Sequence, residues 1–407
     1  MGIVRNIALA VLGISGITFV ALFGRLPAFR KTPIGFLHRL IWIHIPNGLV
    51  YVDFLLFSGK ISRRCTRYAN YIMNENHPLV LIFFISLLSI GTLLFVPSSW
   101  SRMSTVHRLL VPPLVALPYG LLYKCVVTKP FITRENYGEE MKRYPYDHVI
   151  FDPGNRCRTC LFLKPARSKH CSFCKACVSR HDHHCIWLAN CVGFHNYRYF
   201  LSLLLSLSVL LIYGIYLGYS LLHRTMILLL PQGVQSTRNE SWSGVFHLLR
   251  LAIAFDTRVG TVFLLVLMTA PLAVAFLVYH IYLIWAGMTT SESAKWSELG
   301  YSCADGHVFK SLRPEIYGQS YSPYGSRKST ESWPMRSDQI IVLMEDGQPP
   351  KVGDYLSPTS NDFDYSNAAP DHRWSQVRSL KDVDNIYDLG FWDNLRDAMG
   401  LPVKRPT

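Results

Sequence analysis

Long apolar runs separated by polar connectors dominate the chain. Five stretches approach the roughly 20 apolar residues that carry a helix across a bilayer: Ile7–Phe23, Leu79–Val96, Leu109–Val127, Tyr199–Leu222 and Val262–Ala286. The second and fourth hold no charge. The third contains Pro112, Pro113 and Pro118 and ends near Lys124, which a membrane helix accepts where neighbouring helices satisfy the freed carbonyls. Phe36–Phe57 is also apolar, but His38, Arg39, His44, Asn47 and Asp53 interrupt it, so an interfacial or re-entrant segment is expected there.

Composition agrees with a membrane protein. Hydrophobic residues make up 50% of the 407 and charged ones 17%, against about 25% charged in ordinary globular chains. A soluble single-core protein and a disordered chain are both disfavoured. The net charge of +14 suits nucleic acid or an anionic membrane face equally well. The apolar runs decide for the membrane, so no nucleic-acid partner is expected. Lys and Arg crowd the connector from Arg25 to Arg67 and the one from Lys129 to Arg180, whereas the intervening connectors hold few. That alternation places the amino terminus outside, and the Cys-rich connector and long tail in the cytosol. The sequon Asn239-Glu240-Ser241 then falls on the lumenal side, where glycosylation is possible. Ile7–Phe23 has no clean small-x-small cleavage site and reads as an uncleaved anchor. In the tail, Arg313–Asp371 is aperiodic and rich in Ser, Pro, Tyr and Asp, which predicts flexibility around a short element at Gln339–Met344. Val383–Met399 regains apolar residues and is expected to fold back onto the rest.

Seven of the ten cysteines lie between Cys157 and Cys191. The cluster runs Cys157-x2-Cys160-x9-His170-Cys171-x2-Cys174-x2-Cys177-x4-Asp182-His183-His184-Cys185-x5-Cys191. Thiolates and imidazoles paired on tight turns grip zinc tetrahedrally, and interleaved Cys and His in a reducing compartment point to metal rather than disulfides. Two closed sites need eight ligands. If two histidines contribute, six cysteines complete the sites and one thiol is left over. Two readings of that thiol stand side by side: a passive neighbour of the ligands, or a nucleophile. Asp182, His183 and Cys185 are crowded within four residues, and an imidazole beside a thiol favours the thiolate while a carboxylate orients the imidazole. Thioester exchange from a long-chain acyl donor is the chemistry that suits such a thiol at a membrane edge.

The block Asp182-His183-His184-Cys185 in this spacing resembles the DHHC protein S-acyltransferases (palmitoyltransferases). Lys164-Pro165-Ala166-Arg167-Ser168-Lys169-His170-Cys171 and Cys185-Ile186-Trp187-x2-Asn190-Cys191-x-Gly193-x2-Asn196-Tyr197 strengthen the resemblance. Thr289-Thr290-Ser291-Glu292 resembles the family's TTxE motif, and Asn385-Ile386-Tyr387-Asp388-Leu389-Gly390-x3-Asn394 its carboxy-terminal packing motif. Tyr144-Pro145-Tyr146-Asp147, Ile186 and the tail sequence are most similar to the fungal Swf-type subgroup. Ile186 stands where many members have proline, and Ala189 where asparagine is common.

The resemblance implies an all-α polytopic membrane fold of about five transmembrane helices, with a four-helix core and a cytosolic two-zinc module of short hairpins. It implies one zinc on Cys157, Cys160, His170 and Cys177 and another on Cys171, Cys174, His184 and Cys191. Cys185 would form an acyl-enzyme, His183 act as general base and Asp182 orient it; Thr289 or Thr290 would support Asp182, and Asn394 would pack the tail. His181 and His195 match no role and are expected at the surface or an interface. The implied division is 1–128 (three spans with a cytosolic loop), 129–198 (zinc module), 199–287 (two spans with a lumenal loop) and 288–407 (cytosolic tail). The implied activity is S-palmitoylation in two ping-pong steps, with palmitoyl-CoA as acyl donor and juxtamembrane cysteines of membrane proteins, SNAREs among them, as acceptors. Endoplasmic reticulum residence is implied likewise. The rival readings are a membrane-anchored zinc adaptor, whose spacing does not fit a RING pattern, and a transporter, for which only Lys124 and His280 offer ionisable groups within spans.

Overall fold

The computed structural model describes residues 31–74, 77–230, 241–317, 333–351 and 371–403, together with Gly13, Gly16, Ile17 and Val20. Apart from those four positions, the expected span Ile7–Phe23 lies outside the described residues, as does Asn239 of the sequon.

Helix α1 (Pro33–Phe57) covers the segment expected at the interface, yet by length and composition it can cross a membrane. Two of its polar residues, His38 and Asp53, find local partners. His38 stacks on Trp42. The buried Asp53 carboxylate accepts hydrogen bonds from the amides of Ile61 and Ser62 at 3.3 and 2.7 Å and from the Ser62 hydroxyl, so it ties α1 to the start of α2 (Lys60–Asn74). Helices α3 (Leu79–Ser99) and α4 (Thr105–Val127) follow as expected. All three prolines lie inside a continuous α4, and Lys124 is exposed near its end.

After α5 (Tyr137–Arg143) the chain enters two hairpins, β1 (Lys169–Cys171) with β2 (Ala176–Val178) and β3 (His183–Cys185) with β4 (Asn190–Val192). It then returns to the membrane region in α6 (Tyr197–Leu228), crosses over through α7 (Trp242–Phe255) and runs back in α8 (Thr257–Trp285). The core bundle is α3, α4, α6 and α8, with α8 packed on α6 and α3, and α4 on α6. Hydroxyls of Thr92, Ser99, Ser208 and Thr225 donate to carbonyls four residues back, which leaves no hydroxyl of that set facing hydrocarbon unpaired. Ser89 and Tyr119 join α3 to α4 at 2.9 Å, and His107 and Tyr213 join α4 to α6 at 2.7 Å. One apolar cluster, around Leu217, Leu222, Val259 and Phe263, fills the end remote from the hairpins. A second, around Leu122, Leu188, Phe200 and Ile284, lies beneath them and includes Cys185.

The tail opens with α9 (Thr290–Ala304), continues through a small sheet in the order β6–β5–β7 (β5 Val308–Leu312, β6 Gln339–Leu343, β7 Ser375–Gln376) and ends in α10 (Phe391–Ala398). The short element expected at Gln339–Met344 is β6, which pairs with all five residues of β5. Order extends beyond it into the stretch expected to be flexible: the buried Trp333 donates its indole N–H to the Ile386 carbonyl. Apolar residues in that stretch, too sparse for a periodic signal, find their partners far along the chain.

Candidate active site

Strand alternation explains why neighbouring ligands separate. Successive strand side chains point to opposite faces, so His170 and Cys171 diverge, and so do His184 and its neighbours His183 and Cys185. The register pairs His170 with Cys177 across the first hairpin and His184 with Cys191 across the second. Each hairpin thus supplies one His–Cys pair, and a Cys-x2-Cys turn from the preceding segment completes each group. Leu161 and Lys175, the residues after those turns, take left-handed φ values of 61° and 54°. The turns also aim the amides of Cys160 and Cys174 at the sulfurs of Cys157 and Cys171, at 3.3 and 3.5 Å.

The two groups are Cys157, Cys160, His170, Cys177 and Cys171, Cys174, His184, Cys191. Their sulfurs lie 3.4–3.8 Å from His170 Nδ1 in the first and 3.4–3.7 Å from His184 Nδ1 in the second. Tetrahedral zinc, with bonds of about 2.3 Å to sulfur and about 2.05 Å to nitrogen, separates S and N by about 3.6 Å. The donor sets therefore fit zinc in geometry as well as in chemistry. Of the seven clustered cysteines, Cys185 alone belongs to neither group.

On the face of β3 opposite His184, His183 Nδ1 lies 2.6 Å from Asp182 Oδ2. Asp182 is buried and accepts further bonds from the Thr290 amide at 3.0 Å and the Thr290 hydroxyl at 2.9 Å. Burial works to raise its pKa, but the bond to His183, nearby positive charge and the Thr290 amide hold the carboxyl at about 2. Burial likewise works against a charged His183, yet its hydrogen bond to Asp182, helped by the neighbouring Cys185 sulfur, pushes it up to about 10. Cys185 is 5% exposed and stands at the head of a cavity of about 510 Å³ between the core helices. The cavity wall is almost wholly apolar, with Phe84, Trp187, Phe200, Leu204 and Phe276 nearest the hairpin end. Along α3 the lining runs from Phe84 to Val96, about 18 Å at the helical rise of 1.5 Å per residue.

Thr289 does not touch Asp182. Its hydroxyl donates to the His181 carbonyl at 3.0 Å and caps α9 in a capping box with Glu292. Glu292 in turn receives a bidentate pair from Arg167 at 2.7 and 2.6 Å. Arg167 is fully buried between the rings of Tyr144 and Tyr387 and also approaches Asp397 of α10 at 3.5 Å. Asn394 caps the tail motif, accepting from the Leu389 amide and donating to Asp388 and to the Trp285 carbonyl at the end of α8. Gly287 makes that approach possible: its φ is +64°, and a Cβ there would lie 2.5 Å from Asp388 Cα. His181, expected at the surface or an interface, is buried, and burial pulls its pKa down to about 4. His195 is partly exposed and bonds Glu140 at 3.0 Å.

The Arg167–Glu292 pair was not foreseen from sequence, though Glu292 stands in the TTxE motif and Arg167 in the tract before His170. Arg167→Leu is expected to cost about 3–5 kcal/mol of stability, because it strands a buried carboxylate. Arg167→Leu/Glu292→Gln should regain part of this, since glutamine keeps the capping box without the charge. Denaturant unfolding in detergent measures both; a single variant as stable as wild type would contradict this account of the pair.

Comparison with known proteins agrees with the site. Residues 150–297 match the family model described as DHHC palmitoyltransferase. The chain is 56% identical to palmitoyltransferase swf1 of Emericella nidulans, covering 98% of both chains. It is 41% identical to palmitoyltransferase SWF1 of Neurospora crassa, over 98% of this chain and 92% of that one. It is 34% identical to palmitoyltransferase swf1 of Schizosaccharomyces pombe, over 95% and 94%. With similarity running the length of the chain and a family match that contains both metal groups and Cys185, the chain belongs to the DHHC palmitoyltransferases, in their Swf-type branch, and is a membrane-embedded protein S-palmitoyltransferase.

Proposed function

We propose that Cys185 carries the acyl group between donor and acceptor, with His183 and Asp182 as its proton-handling pair. The observation that carries this reading is the position of Cys185: outside both metal groups, beside His183, and at the head of an apolar cavity. The donor is a long-chain acyl-CoA such as palmitoyl-CoA, its tail lying among the core helices. The lining, about 18 Å long by helical rise, exceeds the roughly 15 Å of half a bilayer's hydrocarbon thickness, the depth one lipid tail occupies.

In the first step the Cys185 thiolate attacks the acyl carbonyl carbon, the bond to the CoA sulfur breaks, and the departing thiolate takes a proton from His183. In the second, His183 accepts the proton of a substrate thiol, which attacks the acyl-Cys185 carbonyl and regenerates the Cys185 thiolate. Asp182, held by Thr290, keeps His183 Nδ1 engaged so that its other nitrogen serves both steps. The two groups would hold zinc as a brace for the hairpins, with no open position for a water, since four protein ligands close each site. Acceptors are cysteines beside the spans of membrane proteins, which a nucleophile at a bundle end can reach; the Swf-type resemblance points to SNAREs among them. The Lys and Arg alternation around α3, α4, α6 and α8 supports a cytosolic module and tail, whatever the path of the first 75 or so residues. The Swf-type resemblance supports residence in the endoplasmic reticulum.

A chase experiment tests the covalent route. Enzyme loaded with labelled palmitate and freed of acyl-CoA should pass the label to a membrane-anchored acceptor peptide at least as fast as steady-state turnover. Label that stays on the enzyme while turnover proceeds rules the route out. Thr290→Val is expected to lower acyl-enzyme formation about 10–100-fold by removing one hydrogen bond to a buried carboxylate. Thr290→Ser should restore most of it, and equal rates for all three proteins would remove Thr290 from the site.

A further inference from the structure

His280 is an imidazole in the middle of an apolar run, fully buried on α8. Ionisable groups within membrane spans are costly and as a rule functional. Its Nδ1 lies 3.0 Å from the hydroxyl of Tyr197, the first residue of α6, while its Nε2 is buried without a hydrogen-bond partner among the described residues. One nitrogen of His280, one of His183 and a carboxylate oxygen of Asp182 all lie within 4.8 Å of one another. The rings of Phe200 and Phe276 pack edge-on against it, with centroids 5.0 and 4.8 Å away.

Packing alone does not account for this residue. Leaving a buried N–H or ring nitrogen unpaired costs about 1–3 kcal/mol, and phenylalanine would fill the same aromatic pocket without that cost. The Asp182 carboxylate lies close enough to choose the tautomer. A bare nitrogen lone pair facing it in a low-dielectric site is repelled, whereas an N–H is attracted. A Tyr197 hydroxyl that donates to Nδ1 leaves the proton on Nε2, in agreement with that choice. Asp182 already accepts three hydrogen bonds, two from Thr290 and one from His183, and a carboxylate has about four such positions. One position is left for a further donor.

We infer that His280 is a positioning residue of acyl transfer: held in one tautomer by Tyr197, it presents an N–H to the Asp182–His183 pair and fixes the orientation in which His183 serves Cys185. The inference rests on the roles proposed for Asp182, His183 and Cys185. It makes His280 part of the proton-handling group without contact to the acyl chain, since His280 does not line the cavity.

His280→Phe and His280→Gln, in the full-length protein in detergent micelles, test this. His280→Phe should unfold at the same temperature as wild type or higher, keep two zinc ions per chain and leave the KM for palmitoyl-CoA unchanged. Its rate of acyl-enzyme formation should fall about 10–100-fold, the loss that follows a misplaced catalytic group. His280→Gln, which keeps an N–H donor at that reach, should recover most of the rate, and Tyr197→Phe should lie between the two. A His280→Phe enzyme with the wild-type rate overturns the proposal. So does His280→Gln as slow as His280→Phe, a change confined to KM, or a loss of zinc, each of which makes the ring a packing or ligand element. Cys185→Ser, measured in parallel, separates the two levels. If it still labels, the assignment of Cys185 fails; if it does not label while His280→Phe is normal, only the role of His280 fails.

Discussion

Cys185→Ser is expected to carry no thioester-linked palmitate and to lose at least about 1,000-fold in transfer activity, the scale on which enzymes lose a covalent nucleophile. The protein should otherwise be intact. Cys185 is outside both metal groups, so exchanging its sulfur for oxygen removes no ligand and leaves the zinc content at two. Serine at the same place has a hydroxyl far less acidic than a thiol, so the proposed His183–Asp182 pair would not ionise it comparably. Cys191→Ser makes the contrast. It removes one sulfur from a closed quartet, so zinc content, protease resistance and activity should fall together. If the two serine variants behaved alike, the separation between ligand and nucleophile would be lost.

Removal of zinc is expected to have the second large effect. Each hairpin strand is three residues long, well below what stands alone in water. Structural zinc supplies about 10–16 kcal/mol of apparent folding free energy per site, as much as a whole domain's usual margin of about 5–15 kcal/mol. A strong chelator should therefore unfold residues 157–192, expose them to protease and abolish acylation. The helical signal should change little, because the bundle has its own apolar cluster around Leu217, Leu222, Val259 and Phe263, remote from the hairpins. Release should be easier in acid, since the ligands must be deprotonated thiolates and neutral imidazoles. A chelated protein with zinc-free hairpins that still resist protease would contradict this.

What was legible in the sequence was local. Charge-free runs gave α3 and α6, and the clustered Cys and His gave two four-ligand sites with one spare thiol, because both signals lie within short stretches of chain; which ligands group together came from the family resemblance. Long-range pairings were not legible. Nothing local marks Arg167 as the partner of Glu292, 125 residues away. Nor does anything local show that Asn190 and Asn196 turn their amides to the Cys125 and Thr128 carbonyls at the end of α4. Asp53 breaks a span only by its local sequence: its carboxylate is occupied by the amides of Ile61 and Ser62, beyond the end of α1. His280 was noted only as an ionisable group within a span. Its neighbours come from α6 and β3, which composition does not bring together.

Peptide mapping of the purified enzyme after brief exposure to palmitoyl-CoA, without acceptor and with zinc measured on the same sample, tests the central claim most directly. The account predicts one hydroxylamine-sensitive palmitate, on Cys185, in a protein that retains two zinc ions. Palmitate on any other cysteine, or on Cys185 only in molecules that have shed a zinc, would contradict it.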